Sequence, residues 1–161
     1  MTTLFSITPA TPADVPQILS FIRELAVYER EPDAVLATEA DLHSALFGNA
    51  PKVFCLLCRD GEVALGFALY FYNFSTWLGR HGLYLEDLYV SPEHRGRGAG
   101  KQLLQHLAAI AVKEGCGRFE WSVLDWNQPA IDFYQSFGAE PMSDWTIYRL
   151  TGEALSNFAK S

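Results

Sequence analysis

The sequence predicts a single α/β domain with a mixed central sheet flanked by helices. Three observations carry that expectation. Two apolar runs meet at Asp60-Gly61, a strong short-range signal for an antiparallel hairpin. The second half of the chain alternates strand-like and helix-like segments. Of the 161 residues, 49 % are hydrophobic, with no repeat or linker between them, so one core is expected to serve residues 1–161.

The elements follow in order. Leu4–Ile7 reads as a short first strand, and Asp14 is placed to cap the helix that follows. Ile18, Phe21, Ile22 and Leu25 recur at helical spacing, so Val15 to about Glu29 forms an amphipathic helix, closed near Pro32. Thr38 and Asp41 stand three apart, near a capping-box pattern, ahead of a short helix carrying Leu42, Ala45, Leu46 and Phe47 and ending around Gly48. Val53–Arg59 and Glu62–Tyr72 are the hairpin strands, Asn73–Gly82 a loop, and Leu83–Val90 the next strand. Behind Gly96–Gly100, Leu103, Leu107 and Ile110 mark a helix to about Glu114, with Gly115 past its end. Arg118–Leu124 reads as a strand, Asn127 to about Phe137 as a helix stopped by Gly138, Met142–Leu150 as a last strand, and Thr151–Ala159 as a terminal helix. The order is β-α-α-β-β-β-α-β-α-β, unlike a doubly wound nucleotide fold.

Charge and cysteines narrow the function. Asp and Glu outnumber Lys and Arg by 19 to 12, a net charge of −7, which disfavours nucleic acid and anionic membranes and suits a cationic small molecule. Three cysteines make no secretory disulfide framework. Cys55 and Cys58 lie three apart on a strand, hence on opposite faces, and read as buried hydrophobes, not as a redox or metal pair. No further Cys or His pair completes a zinc site, so no metal is expected. Met1–Ser6 has neither the basic leader nor the apolar run of a signal peptide, and no apolar stretch approaches a membrane span. The expected location is the cytoplasm.

The sharpest local signal is Y-L-E-D-L-Y-V-S-P-E-H-R-G-R-G-A-G-K-Q-L-L. A strand feeds a turn with Gly96, Gly98 and Gly100, and a helix begins at once. Glycines let backbone N–H groups converge where a Cβ would block approach. The helix start adds unpaired N–H groups and the positive dipole end. Arg95, Arg97 and Lys101 add positive charge, giving a pyrophosphate cradle built on Arg95–Lys101, Ala99 included. A P-loop is excluded because residue 95 is Arg and Gln102 has no hydroxyl for Mg²⁺. A dinucleotide fingerprint is excluded because the glycines are spaced evenly by two. Upstream, Glu86 and Asp87 sit between Leu85 and Leu88 in a strand. Buried carboxylates need a partner, and adjacent strand residues share one orientation only if a bulge intervenes.

R-G-R-G-A-G resembles the [RQ]-x-x-G-x-[GA] signature of the GCN5-related N-acetyltransferases (GNAT), with Arg95, Gly98 and Gly100 at the defining positions. The framing L-E-D-L-Y-V-S-P-E-H and N-x-x-A-I-D-F-Y-x-x-x-G-A strengthen the likeness, which runs over nearly the whole chain. R-E-L-A-V-Y-E and L-D-W-N-Q-P-A-I-D-F-Y-Q-S-F-G-A resemble the diamine (spermidine/spermine) and thialysine acetyltransferases in particular. The resemblance implies the GNAT-type acyl-CoA N-acyltransferase fold with a V-shaped split in its sheet, acetyl-CoA as co-substrate, a small cationic amine as acceptor and a homodimer. It implies Tyr134 as the general acid for the leaving thiolate, since an ordinary phenol titrates near about 10 and stays protonated at neutral pH. Glu86 would help deprotonate the amine. Tyr28, Glu29, Trp77, Asp87 and Trp145 would form the acceptor site with it. Asn127, a helix N-cap on its own pattern, would also contact the pantetheine arm. Backbone groups of Leu88, Tyr89 and Val90 would bond that arm like an added strand, one N–H serving the oxyanion.

Two departures leave the acceptor open: Thr8 replaces an Arg of many relatives, and an acidic-acidic-Gly-Trp segment is reduced to Ser143-Asp144-Trp145. The expected reaction is direct acetyl transfer from acetyl-CoA to a diamine or polyamine in a ternary complex. The alternatives are thialysine or another small amine as acceptor, and an acyl-CoA-binding protein without catalysis.

Overall fold

The computed structural model describes residues 5–160, and the chain divides in sequence at Ser122/Val123 into two compact units. In the first unit, β1 (Ser6–Pro9), β2 (Phe54–Asp60), β3 (Val63–Ser75), β4 (Arg80–Val90) and β5 (Phe119–Trp121) form one sheet in sequence order. The first four strands are antiparallel and β5 runs parallel to β4, so the sheet is mixed as expected. Leu4 lies outside the described residues, and the first strand begins at Ser6.

Helices α1 (Val15–Tyr28) and α2 (Glu39–Phe47) close one face of the sheet. Ile18, Phe21, Leu25, Leu42 and Leu46 pack there on Cys55, Leu57, Phe67, Leu69 and Tyr89. Phe21 stacks on Phe67 with ring centroids 5.7 Å apart. Helix α3 (Ala99–Lys113) contacts β2, β3 and β4 and buries Leu103, Leu104, Leu107 and Ala111. Cys55 and Cys58 are both buried free thiols, and burial pushes the Cys55 thiol up to about 12. That suits an inert hydrophobe.

Caps set the helix starts. Thr38 and Asp41 form a capping box: Asp41 N–H donates to Thr38 Oγ1 at 3.2 Å, and Thr38 N–H donates to the Asp41 carboxylate at 2.9 Å. Thr38→Ala is expected to destabilise the protein by about 1 kcal/mol, read as a lower urea midpoint at unchanged slope. Asp14 departs from expectation. Its carboxylate accepts the Thr11 N–H at 2.8 Å, pairs with Arg59, and makes no cap on α1. The ion pair with β2 outcompetes the local helix-end bond.

Three boundaries also move. The hairpin strands β3 and β4 zip to Ser75↔Arg80, so most of the expected loop over Asn73–Gly82 is ladder. Phe74 packs edge-on against His81 at 5.2 Å, and the Gly79 N–H closes the turn on the Ser75 carbonyl at 2.8 Å. β5 is shorter than Arg118–Leu124 because its ladder spans only Leu83–Leu85 of β4.

The second unit holds α4 (Gln128–Ser136) and α5 (Gly152–Lys160). Asn127 caps α4, its side chain accepting the Ala130 N–H at 3.4 Å, and Gly138 follows the helix at φ 95°. The strand expected over Met142–Leu150 does not form among the described residues. A strand needs a ladder partner. None of the described ladders includes this stretch, and a turn bonds Trp145 N–H to the Met142 carbonyl at 3.2 Å.

Candidate functional site

The site in the first unit grows from one irregularity in β4. Leu69 pairs with Asp87 while Tyr70 pairs with Leu85, so Glu86 is the extra residue of a bulge. The bulge resolves the orientation problem that neighbouring acidic residues pose on a regular strand. Glu86 is exposed at the bend. Asp87 falls in register with Leu69 and Phe67 on the face covered by α1.

Near Asp87 stand Glu86, at the bulge, and Glu29, the C-cap of α1, close enough for their charges to act on one another. Burial, then the charges of Glu86 and Glu29, push Asp87 up to about 6. Burial and then Glu86 also raise Glu29. Three carboxylates from two elements thus share one field, which favours a cationic guest.

The same strand offers an open edge. β5 pairs with β4 only at Leu83–Leu85, so among the described residues no strand covers that side of Glu86–Val90. The β4–β5 pairing thus ends at Leu85. The Ser91 N–H donates to Leu65 at 2.9 Å on the β3 side. The Val90 carbonyl, across the same trans peptide, therefore points off the open edge. Period-two alternation turns the backbone groups of Leu88 the same way.

Past β4, a one-turn helix Pro92–His94 leads into the glycine turn. Gly96 and Gly98 have φ of 80° and 87°, and a Cβ at either would meet no atom within 4 Å. Gly98 is the N-cap of α3 and supplies no side-chain cap. The helix start therefore presents backbone N–H groups to an anion, with the dipole behind them. The open edge and this uncapped turn fit an acyl-CoA: one offers the ladder for an amide-bearing arm, the other a cradle for a pyrophosphate.

Both arginines of the turn are engaged within the protein. Arg97 pairs with Asp60 of the β2–β3 hairpin at 2.7 Å and lies 5.1 Å over the Phe5 ring. Arg95 Nε donates to the Val90 carbonyl at 2.9 Å, and its guanidinium lies 5.3 Å from the Tyr28 ring and 5.6 Å from the Tyr89 ring. Tyr89 OH in turn donates to Glu24 at 3.4 Å. Sequence spacing gives no hint of these partners: Asp60 stands 37 residues from Arg97, and the family resemblance implies a role only for the Tyr89 backbone.

Of the expected site residues, Tyr28, Glu29, Glu86, Asp87, Leu88, Val90 and Arg95–Lys101 are gathered by α1, β4 and the turn that opens α3, whereas the backbone groups of Tyr89 point to β3 and so do not offer the edge bonds expected of them. Trp77 is not. It is 87 % exposed at the tip of the β3–β4 hairpin, and the strand rise from there to Glu86 spans roughly 25 Å. In the second unit, Tyr134 lies on α4 with its ring 5.7 Å from Phe133 and 6.4 Å from Phe137. Asn127 starts that helix and Trp145 follows it in the irregular stretch.

Comparison with known proteins finds relatives over nearly the whole chain. Residues 17–139 match the acetyltransferase (GNAT) family. The chain is 38 % identical over 164 aligned positions to thialysine N-epsilon-acetyltransferase of Sus scrofa, covering 95 % of this chain and 96 % of that one. It is 35 % identical to an L-ornithine N5-acetyltransferase of Arabidopsis thaliana, covering 94 % and 86 %. Among solved structures, an integron cassette protein of V. cholerae superposes with a TM-score of 0.82 at 32 % identity, covering 100 % and 99 %.

Proposed function

The chain belongs to the GNAT family of acetyl-CoA-dependent acetyltransferases, and from that premise we propose that it acetylates a primary amine of a small cationic acceptor, a diamine or polyamine. The carboxylate group of Glu29, Glu86 and Asp87 beside the open edge of β4 carries this reading. A dication satisfies three carboxylates in one field better than a zwitterion does, because an amino acid brings its own carboxylate.

In this reading acetyl-CoA binds first, and when bound it supplies the activated acyl group as a thioester. Leu88 and Val90 hold the pantetheine arm through backbone groups, with Asn127 as a further contact, and the Gly96–Lys101 turn holds the pyrophosphate. Asp87 and Glu29 hold the distal ammonium of the acceptor, beside Tyr28. Trp145 is proposed as a further aromatic of the acceptor surface, and Trp77, at the far tip of the β3–β4 hairpin, takes no part in it. Glu86, exposed at the bulge, takes the proton from the reacting ammonium, directly or through water, because only the free amine attacks. The new N–C bond forms as the C–S bond breaks, a backbone N–H of β4 steadying the oxyanion. Tyr134 gives its proton to the departing thiolate and regains one from the new amide nitrogen, which sheds its extra proton as the intermediate collapses. No cysteine is needed as a nucleophile: Cys55 and Cys58 are buried, and burial raises all three thiols.

A second reading, a side-chain amine of a cationic amino acid, has its own support: the relatives named above are acetyltransferases of thialysine and of ornithine. Turnover of acetyl-CoA with putrescine, spermidine, thialysine, ornithine and lysine separates the two. Preference for the diamines supports the first reading, and preference for the amino acids replaces it with the second. Acetyl-CoA binding without transfer to any amine would make the chain a non-catalytic acyl-CoA-binding protein. The reading extends to a homodimer, supported by the apolar side chains Ile147, Tyr148, Leu155 and Phe158 that the second unit leaves exposed, and to the cytoplasm, supported by three free thiols.

The carboxylates make acceptor binding pH-dependent. Asp87, pushed up to about 6, gains a proton as pH falls from 7 to 5 and ceases to attract a cation. The KM for the amine is expected to rise over that window, and Asp87→Asn to flatten the rise. Stability moves the opposite way. A carboxyl whose folded pKa is raised opposes folding above that pKa, and protonation relieves the cost as pH falls through it. Asp87→Asn is therefore expected to stabilise the protein at pH 8 more than at pH 5, measured by urea unfolding.

A further inference from the structure

The position of Arg95 carries an inference about how the two halves of the site communicate, and it rests on the functional reading above. Arg95 follows β4 by five residues and opens the turn that would hold the pyrophosphate. Its side chain turns back from there. Nε grips the Val90 carbonyl, the group that points off the open edge. The flat guanidinium lies on Tyr89, on the same strand, and on Tyr28, the last residue of α1. The next residue, Glu29, is one of the three acceptor carboxylates. One planar cation therefore touches the edge offered to the coenzyme and the helix end that presents the acceptor ligand.

We propose that Arg95 is a positioning residue that couples the two sites: occupation of the turn and edge by coenzyme A fixes Arg95, and Arg95 fixes Tyr28 and Glu29 at the end of α1. The physical basis is geometric. A guanidinium within about 6 Å of a ring face is attracted to it. Its Nε–H bond to Val90 sets the plane of the fork, so any shift of the Val90 peptide on ladder formation tilts that plane against the Tyr28 ring. The backbone beyond the ring is the terminal turn of α1, where the Glu29 N–H donates to Leu25 at 2.9 Å and the Glu31 N–H to Ala26 at 2.9 Å. Those bonds report directly on the order of the segment. Lysine keeps the charge but has neither the Nε–H bond nor the planar face.

Hydrogen exchange on the full chain tests this with coenzyme A alone as the probe. In the wild type, coenzyme A is expected to slow exchange at the turn and also several-fold at the amides of Glu29–Glu31. In Arg95→Lys, protection should persist at the turn and vanish at Glu29–Glu31. Tyr28→Leu should lose the distant protection as Arg95→Lys does, and Tyr28→Phe, which keeps the ring, should retain it. In steady state, Arg95→Lys should raise the amine KM at saturating acetyl-CoA by roughly 5- to 150-fold, the usual span of coupling between sites, with kcat changed far less. Wild-type protection confined to the turn would overturn the proposal. So would a lysine variant that protects Glu29–Glu31 as the wild type does, or one whose defect lies only in the acetyl-CoA KM. Protection that travels in a wild type acetylating no amine would sink the functional reading and leave the coupling standing.

Discussion

Tyr134→Phe is expected to slow turnover by roughly 10²- to 10⁴-fold with acetyl-CoA affinity unchanged, the span that positioned acid catalysis contributes. The substitution removes one oxygen and keeps the ring. Tyr134 lies within a cluster of aromatics, near Phe133 on the same helix and Phe137 at its C-cap, so phenylalanine preserves the packing and the helix that carries it. What disappears is a proton donor for the thiolate. An alkyl thiol has a pKa near about 8.5, so the thiolate can leave unassisted at a reduced rate, and a residual activity is expected. Single-turnover release of coenzyme A, with calorimetric titration of acetyl-CoA, measures the two effects separately. Unchanged turnover would remove Tyr134 from the mechanism. Loss of both turnover and binding would assign it to holding the coenzyme.

Gly66→Ala should have the largest effect on the framework of the site. Gly66 faces Val90 across the β3–β4 ladder. A Cβ there would stand 2.3 Å from the Tyr89 carbonyl oxygen and 3.0 Å from Val90 Cα. Both are backbone atoms, so no rotamer change relieves the clash, and the strands must separate. Overpacking of this kind costs about 1–3 kcal/mol, which in a chain of this size lowers Tm by roughly 2–12 °C. The displaced segment is the open edge, so the acetyl-CoA KM is expected to rise as well. Thermal unfolding and steady-state kinetics on the same sample check this. A Tm and KM equal to those of the wild type would mean that the edge neither needs the close approach nor contributes to binding.

Much of the protein was legible in its sequence because the signals were local. Helical periodicity placed α1 and α3 to within a residue or two, since burial of one face is written at every third or fourth position. Asp60-Gly61 located the β2–β3 hairpin, Thr38 and Asp41 the start of α2, and Asn127 the start of α4. The glycine turn was legible because its backbone runs at positive φ at Gly96 and Gly98, which glycine adopts without strain. The missing strand over Met142–Leu150 marks the limit of such reasoning. Alternating apolar residues state that a segment can pair, but a ladder also needs a partner.

By itself, then, the sequence determined which residue types are present and the local elements that carry them: a mixed sheet, a glycine-opened helix, adjacent acids in a strand and a tyrosine on a late helix. Tertiary structure decided where each of them stands. The bulge at Glu86, which lets one acid face solvent and its neighbour face α1, is set by the register of β3 on β4. The open edge exists because β5 pairs for only three residues. The two arginines of the turn, alike in sequence, part company by finding Asp60 in one direction and Tyr28, Tyr89 and Val90 in the other. Each of these outcomes depends on contacts between residues far apart in the chain, where packing and charge select the partner and periodicity carries no information.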